Sequence, residues 1–126
     1  MIEYRDWINR ADLLAEPDKI FVFGDNAERW GLGGQAKEMR GEPNAFGIAT
    51  LYAPGKPYDG NDRKAIKIVC DDLAALALYL RQGKIIVTPS AGVGTGLADL
   101  RNAAPDIHQL IRAFFTAAGN RPCPWE

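Results

Sequence analysis

Cysteine and histidine are scarce in this sequence: its 126 residues include two cysteines and one histidine. Cys70, Cys123 and His108 do not form a metal-ligand pattern, so we predict no metal site. We interpret Cys70 as a core residue, because it lies on the apolar side of a predicted helix. We expect His108, in the last predicted helix, to be structural or exposed and away from any ligand.

An excess of positive charge and a long apolar run are also missing. Fifteen basic residues face sixteen acidic ones, so no global positive field exists to attract a nucleic-acid backbone, and we predict no strong nonspecific nucleic-acid binding. No apolar run approaches the ~20 residues of a membrane span, and MIEYRDWINR carries charges where a signal peptide needs an apolar stretch. We therefore predict a cytoplasmic protein with no membrane partner.

Composition and periodicity indicate one folded domain over residues 1–126. Hydrophobic residues make up 47% and charged residues 25%, values typical of a soluble α/β or other globular chain. Apolar spacing predicts helices and strands in alternation, which favours the α/β class. The predicted helices cover residues 4–14, 35–40, 66–80 and a last segment from Pro105, and the predicted strands cover residues 20–23, 45–51 and 84–88.

Local signals give the limits of these elements. Asn61 or Asp62 is a suitable N-cap for the long helix, and Gly83 is a suitable residue to follow its end. Residues 53–62, with two prolines and two glycines, are predicted to form a long surface loop able to act as a lid. Near the end of the chain, Trp125 is expected to pack on the body of the protein.

A glycine-rich segment follows each of two predicted buried strands. Residues 25–34 read DNAERWGLGG, and residues 89–100 read PSAGVGTGLADL. Glycine permits positive φ and lets a phosphate approach consecutive main-chain N–H groups, so two such loops can hold a diphosphate from both sides. Neither loop has the Lys-Ser/Thr pair of a triphosphate P-loop or the full dinucleotide fingerprint, and we predict no cofactor. The alternative is that both loops are only tight turns.

Several side chains in these loops are suited to ligand contacts. Asp25 and Asn26 either bind an adenine amino group or ribose hydroxyl, or form an Asx turn. Trp30, beside Arg29, either stacks on a base or covers the core. Hydroxyl groups of Ser90 and Thr95 are available to donate hydrogen bonds to phosphate.

Taken in order, IFVF, DN, GLGGQAKEMR, KIIVTP and GVGTGL resemble the macrodomain family, and KPYDGNDRKAI and GTGLADL are similar to its terminal ADP-ribose glycohydrolase branch. The resemblance implies a three-layer α/β fold with a mixed central sheet and helices on both faces. It implies binding of ADP-ribose or an ADP-ribosylated macromolecule, with Asp25 or Asn26 beside the base. The two loops would then enclose the diphosphate and distal ribose through Gly33, Gly34, Gln35, Gly92, Val93, Gly94, Thr95, Gly96 and Leu97.

The catalytic pattern of that branch departs from this sequence. Its hydrolytic members use a lysine nucleophile and an aspartate, but Arg40 stands near the lysine position, Lys37 lies one turn earlier, and Asp99 is displaced by one residue. Arginine stays protonated and is a poor nucleophile. If the protein hydrolyses ADP-ribosyl linkages, Asp99 or Glu42 would activate water while Lys37 or Arg40 stabilises negative charge.

Two other functions stay open. A Rossmann-like nucleotide hydrolase of the phosphoribohydrolase type also uses a glycine loop, but the glutamate it needs after that loop is missing here. A noncatalytic interaction protein of phage or bacterial origin would use the glycines only as turns. We expect a bulky residue at Gly94 to abolish ligand binding and leave the fold intact.

Overall fold

The computed structural model describes residues 1–119 and 122–125. Strands and helices alternate along most of the chain. The elements are β1 (Ile2–Arg5), α1 (Arg10–Ala15), β2 (Ile20–Asn26), α2 (Ala36–Met39), β3 (Ala45–Ala53), β4 (Lys56–Pro57), α3 (Arg63–Arg81), β5 (Ile86–Pro89), α4 (Leu100–Ala103) and α5 (Pro105–Ala118).

One sheet with the strand order β1-β5-β2-β3-β4 forms the centre of the protein. β1, β5, β2 and β3 are parallel to one another, and the short β4 is antiparallel to β3. The sheet is therefore mixed, as predicted, and its parallel strands end at the same edge. That edge carries both glycine-rich loops.

Helices cover both faces of the sheet, which confirms the prediction of a three-layer α/β fold. Successive side chains of β2 point to opposite faces. Phe21 and Phe23 join the core under α1 and α2, whereas Ile20 and Val22 join the core under α3, α4 and α5. Each core thus depends on alternate residues of the same strand.

The residues predicted to flank the long helix, and the predicted start of the last helix, are confirmed. The Asp62 side chain accepts a hydrogen bond from the Ala65 N–H at 2.8 Å and caps the start of α3. Gly83 follows the last residues of α3 with φ of +80°, a conformation that glycine adopts without strain. Pro105 occupies the first turn of α5.

Several sequence predictions are wrong in detail. Tyr4 belongs to strand β1, where it pairs with Thr88, and the first helix begins only at Arg10. The strand predicted to stop at Gly24 continues to Asn26, and the segment predicted as loop over 53–62 contains β4. Pairing with β5 and β3 extends these strands, and apolar periodicity within a segment does not reveal such pairing.

Cys70 is exposed on α3, which contradicts its interpretation as a core residue. The buried side of α3 carries Val69, Leu73 and Leu76, together with the charged Asp72. Cys70 follows Val69 by one residue, which turns it about 100° around the helix and away from the sheet. Asp72 is on the inner side of α3, where its carboxylate accepts a hydrogen bond from the Ala49 N–H at 2.8 Å.

The last described residues pack against the α3–α5 side of the sheet. Trp125 is 5% exposed and contacts the rings of Tyr4 and Phe115, as predicted from its apolar character. His108 is buried on α5 and does not line the cleft described below.

Among residues 1–119 and 122–125, no helix has the length and apolar character that a membrane span requires. The same residues bring no three potential metal ligands together.

An ion-pair network joins β1 to the segment between α1 and β2. Arg5 and Lys19 each pair with both Glu3 and Glu16, at distances of 2.6 to 2.9 Å. Hydrogen bonds from Arg5 and then Lys19 lower the pKa of Glu16 to about 2. The network lies apart from the glycine loops and holds the edge strand in place.

Candidate ligand-binding cleft

The loops that follow β2 and β5 enclose one cleft of about 510 Å³. β2 and β5 are adjacent and parallel, but the chain leaves them toward opposite faces of the sheet, to α2 after β2 and to α4 after β5. Such a divergence opens a crevice at the carboxyl ends of the strands, where α/β proteins bind ligands. The volume lies within the range of about 300–1,000 Å³ typical of small-molecule sites.

Residues from both predicted loops line this cleft, although they are some sixty positions apart in the chain. From the first loop and its surroundings come Gly24, Asp25, Asn26, Trp30, Gly31, Leu32, Gly33, Gly34, Gln35, Ala36 and Arg40. From the second come Pro89, Gly92, Val93, Gly94, Thr95, Gly96, Leu97 and Ala98. The structure therefore brings together the candidate ligand-binding residues other than Ser90, whose N–H donates to the Arg5 carbonyl.

Polar side chains give the first loop its shape. Asn26 accepts a hydrogen bond from the Glu28 N–H at 3.0 Å and donates one to the Trp30 carbonyl at 2.7 Å, so it forms the Asx turn. The Gln35 side-chain amide binds both the N–H and the carbonyl of Ile8, at 2.9 and 2.8 Å. Both side chains are occupied within the protein and act on the ligand site by holding the backbone.

Asp25 and Arg40 form an ion pair in the wall of the cleft. Arg40 Nη2 donates to Asp25 Oδ1 at 2.5 Å, and Arg40 Nε donates to the Gly31 carbonyl at 2.7 Å. The Asp25 side chain is 3% exposed and lies directly over Gly47, where any Cβ would collide with the carboxylate. Arg29, with φ of +60°, places its guanidinium 3.8 Å from Asp25. Arg40 thus balances a buried charge and ties the first loop to β2.

In the second loop, apolar packing accounts for two glycines. Gly92 has φ of +93°, and a Cβ there would lie 2.5 Å from two atoms of the Trp125 ring. Gly94 has φ of +71°, and its Cβ would lie 2.9 Å from Thr50 Cγ2 and 3.1 Å from Leu100 Cβ. Both positions need glycine for the fold itself. The expectation that a bulky residue at Gly94 leaves the fold intact is therefore wrong.

Gly33 and Gly96 differ from those two glycines. Neither has a left-handed φ, and no heavy atom lies within 4 Å of where a Cβ would stand. The fold therefore does not require glycine at either position. The main-chain N–H groups of Gly33, Gly34, Thr95 and Gly96 donate no hydrogen bond to any other described residue. Both loops thus offer free main-chain donors, and at Gly33, Gly34 and Gly96 no side chain shields them.

Most of the residues considered for catalysis lie outside the cleft. Lys37 is exposed and not part of its lining, and Glu42 pairs with Arg10 at 2.6 Å. Asp99 has φ of +43°, and its carboxylate accepts hydrogen bonds from Asn102 Nδ2 at 2.9 and 3.1 Å, also away from the lining. Arg40 is the one member of this set that lines the cleft.

The structure adds cleft residues that sequence reasoning missed. Thr50, Leu51, Pro54 and Gly55 contribute a third side from the end of β3. Thr50 is 2% exposed and donates a hydrogen bond to the Asp25 carbonyl at 3.2 Å. The sequence signal for this position is a threonine near the end of the predicted strand 45–51.

Three large apolar side chains surround the opening of the cleft. Trp30 and Leu32 are 56% and 64% exposed, and Leu97 on the opposite loop is fully exposed. The alternative in which Trp30 covers the core is therefore wrong. Exposed apolar groups around a concave site are typical of a binding surface.

A second, more open depression of about 720 Å³ lies between α3 and residues 52–56. Arg29 and Asp72, two of its lining residues, pair at 2.7 Å, and Arg29 also donates to the Gly47 carbonyl at 2.8 Å. With Asp72 bound to the Ala49 N–H, these side chains cover the open edge of β3. No residue of the two glycine loops beyond Arg29 and its neighbours 27–28 lines this depression.

Comparison with known proteins finds one family. A family model described as "Family of unknown function (DUF7831)" matches residues 3–114, most of the chain. No curated protein and no solved structure matches.

Proposed function

The chain belongs to the DUF7831 family, and from the geometry of its cleft we propose that it binds ADP-ribose or an ADP-ribose derivative between the two loops. The observation that carries this proposal is the set of free main-chain donors at Gly33, Gly34, Thr95 and Gly96 around one cleft. Consecutive free N–H groups are suited to a diphosphate, whose oxygens accept several hydrogen bonds at once.

The absence of side chains at Gly33 and Gly96 supports the same ligand. Because the fold requires glycine at neither position, we assign their lack of a Cβ to the close approach of phosphate oxygens from both sides. The Arg40 side chain, 21% exposed, lies in the same wall, where Asp25 balances its charge. Its planar guanidinium retains donors beyond those used on Asp25 and Gly31.

We assign recognition of the base to the apolar opening. Asp25 and Asn26, the two candidates for this contact, use their hydrogen bonds within the protein. Trp30 and the leucines at 32 and 97 present exposed apolar surface on both sides of the opening. A planar base gains favourable contact from such a pair of surfaces.

The cleft supports binding better than hydrolysis. Lys37, Glu42 and Asp99 lie outside its lining, and Asp25 is the single carboxylate among the described lining residues. Asp25 is also held by Arg40, so no free base faces the ligand. We therefore propose a binding protein that acts in the cytoplasm; subcellular fractionation tests the location.

Thermal denaturation with added ligands tests the function. A ligand at a hundred times its Kd raises the free energy of unfolding by about 2.7 kcal/mol, so ADP-ribose should raise the Tm by several degrees. AMP should raise it less, because it lacks the second phosphate and the distal ribose. If no ADP-ribose derivative or adenine nucleotide raises the Tm, and calorimetry detects no binding, the proposal is wrong.

A further inference from the structure

Residues 122–125 pack directly behind the second glycine loop. The Trp125 ring occupies the space that a Cβ on Gly92 would take, at 2.5 Å from that position. The same ring packs edge to face with Phe115 and Tyr4, at 5.2 and 6.1 Å between ring centroids. Trp125 thus lies between the core and a loop that lines the cleft.

Ring packing is the main contact of this side chain. Trp125 Nε1 is buried and has no hydrogen-bond partner among the described residues. The backbone of the segment is held separately: Arg112 Nε donates to the Trp125 carbonyl at 2.7 Å, and the Cys123 N–H donates to Thr116 Oγ1 at 3.1 Å. Phenylalanine at position 125 would therefore keep the contact that matters to the loop.

The loop depends on few hydrogen bonds of its own. The Gly92 N–H donates to the Pro89 carbonyl at 3.0 Å, and the Leu100 N–H donates to the Gly94 carbonyl at 2.9 Å. Between these bonds the Thr95 hydroxyl donates to the Ala91 carbonyl at 2.8 Å, so it is engaged within the loop and not with phosphate as predicted. Packing on Trp125, Thr50 and Leu100 also sets the path of the chain. Removing the ring would free the loop to take other conformations.

We propose that docking of residues 122–125 through Trp125 sets the ligand-binding conformation of the second loop, so that docking and ligand binding are coupled. Trp125 is then a positioning residue that acts through Gly92. The identity of the ligand in this proposal rests on the proposed function. Coupling is reciprocal, because each event must change the equilibrium of the other by the same factor.

Cys123 reports on docking of the segment, because the residue is 7% exposed and burial raises the pKa of its thiol. In a Cys70→Ser background the exposed thiol is removed, and Cys123 becomes the one cysteine left. Its reaction with Ellman's reagent should be slow and should become about tenfold slower with saturating ADP-ribose. An unchanged rate in a protein that binds ADP-ribose would overturn the coupling.

Substitution of Trp125 tests the positioning role. Trp125→Ala should weaken ADP-ribose binding about tenfold at a temperature where the variant is fully folded, whereas Trp125→Phe should bind like the natural protein. Leu76→Ala is the matched control, since Leu76 is fully buried in the same core but lies on α3, away from the cleft. If both alanine variants lose Tm and neither loses affinity, Trp125 has only a structural role and the proposal is wrong.

Hydrogen exchange separates this proposal from the proposed function. Without ligand, Trp125→Ala should speed exchange of the Gly92 and Leu100 amides more than Leu76→Ala does. If the natural protein binds no ADP-ribose but this difference appears, the proposed function fails while the positioning of the loop stands. If exchange of the two amides is the same in both variants, the positioning role fails, whatever the ligand.

Discussion

The two glycine loops look alike in the sequence but are built in different ways. The first loop is held by polar contacts from Asn26, Gln35 and Arg40, and a Cβ on Gly33 within it would meet no atom within 4 Å. The second is held by apolar packing on Gly92 and Gly94. Gly33 in the first loop therefore leaves space for a ligand, whereas Gly92 and Gly94 in the second leave space for other parts of the protein.

Gly96 is the exception that connects the loops. It belongs to the packed loop but shares the open surroundings of Gly33, and the two glycines line the same cleft. Each loop thus has a supported part, held by contacts with the rest of the protein, and an open part, where a side chain would meet no atom. The open parts lie around one site. A glycine-rich motif by itself does not distinguish a packing role from a binding role, so substitutions must separate them.

The largest expected effect is on the supported part of the second loop. Gly94→Ala should lower the free energy of unfolding by about 3 kcal/mol, because a Cβ meets Thr50 and Leu100 and the left-handed backbone adds strain. Urea denaturation of the variant gives the value. A loss below about 1 kcal/mol would show that Gly94 is not required by packing, and the contrast between the loops would disappear.

A smaller effect is expected where polar contacts hold the first loop. Arg40→Met should cost about 2 kcal/mol, because the buried Asp25 carboxylate would keep the Asn26 N–H at 2.8 Å but, among the described residues, only the more distant cation of Arg29 at 3.8 Å. The double variant Arg40→Met, Asp25→Asn should recover part of this loss, since the unpaired charge is gone. Denaturation of both variants checks the sign, and a double variant less stable than Arg40→Met would contradict the assigned role of the pair.

The smallest effect on stability is expected at the open glycines. Gly33→Ala and Gly96→Ala should each change the free energy of unfolding by less than about 0.5 kcal/mol, because the new methyl group meets no atom. Each should weaken ADP-ribose binding about tenfold by blocking the approach of phosphate, as calorimetry would measure.

As a control for these two variants, Gly60→Ala is not suitable, since the φ of Gly60 is +66°. Cys70→Ala, at an exposed position of α3 outside the cleft lining, serves instead. Unchanged affinity in both glycine variants would remove the main support for the binding site.

Sequence reasoning predicted β2, β3, β5 and the long helices because their signals are local, and it missed β1 and β4. The cap at Asp62 and the glycine after α3 are set by residues within a few positions of the helix ends. The errors at Tyr4 and Cys70 have another origin. Tyr4 joins a strand because β5 lies beside it, and Cys70 faces solvent because the sheet meets α3 on its other side.

The candidate site shows the same difference between local sequence signals and contacts made only in the assembled fold. Glycine loops after two apolar strands could be predicted to meet, since the ends of parallel strands share an edge. The contacts that hold the loops in place could not be predicted, because Trp125 and Gly92 are far apart in the chain and no periodic pattern links them. The exclusion of Lys37 and Asp99 from the cleft likewise depends on where short helices and turns direct their side chains.

By itself the sequence determined the succession of strand, glycine loop and helix, because backbone preferences and apolar alternation act over a few neighbouring residues. Only the tertiary structure decided which glycines are enclosed and which are open, and which charges are paired beside the cleft. Those outcomes depend on contacts between residues distant in the chain, and such contacts exist only once the sheet and its two helical layers are assembled.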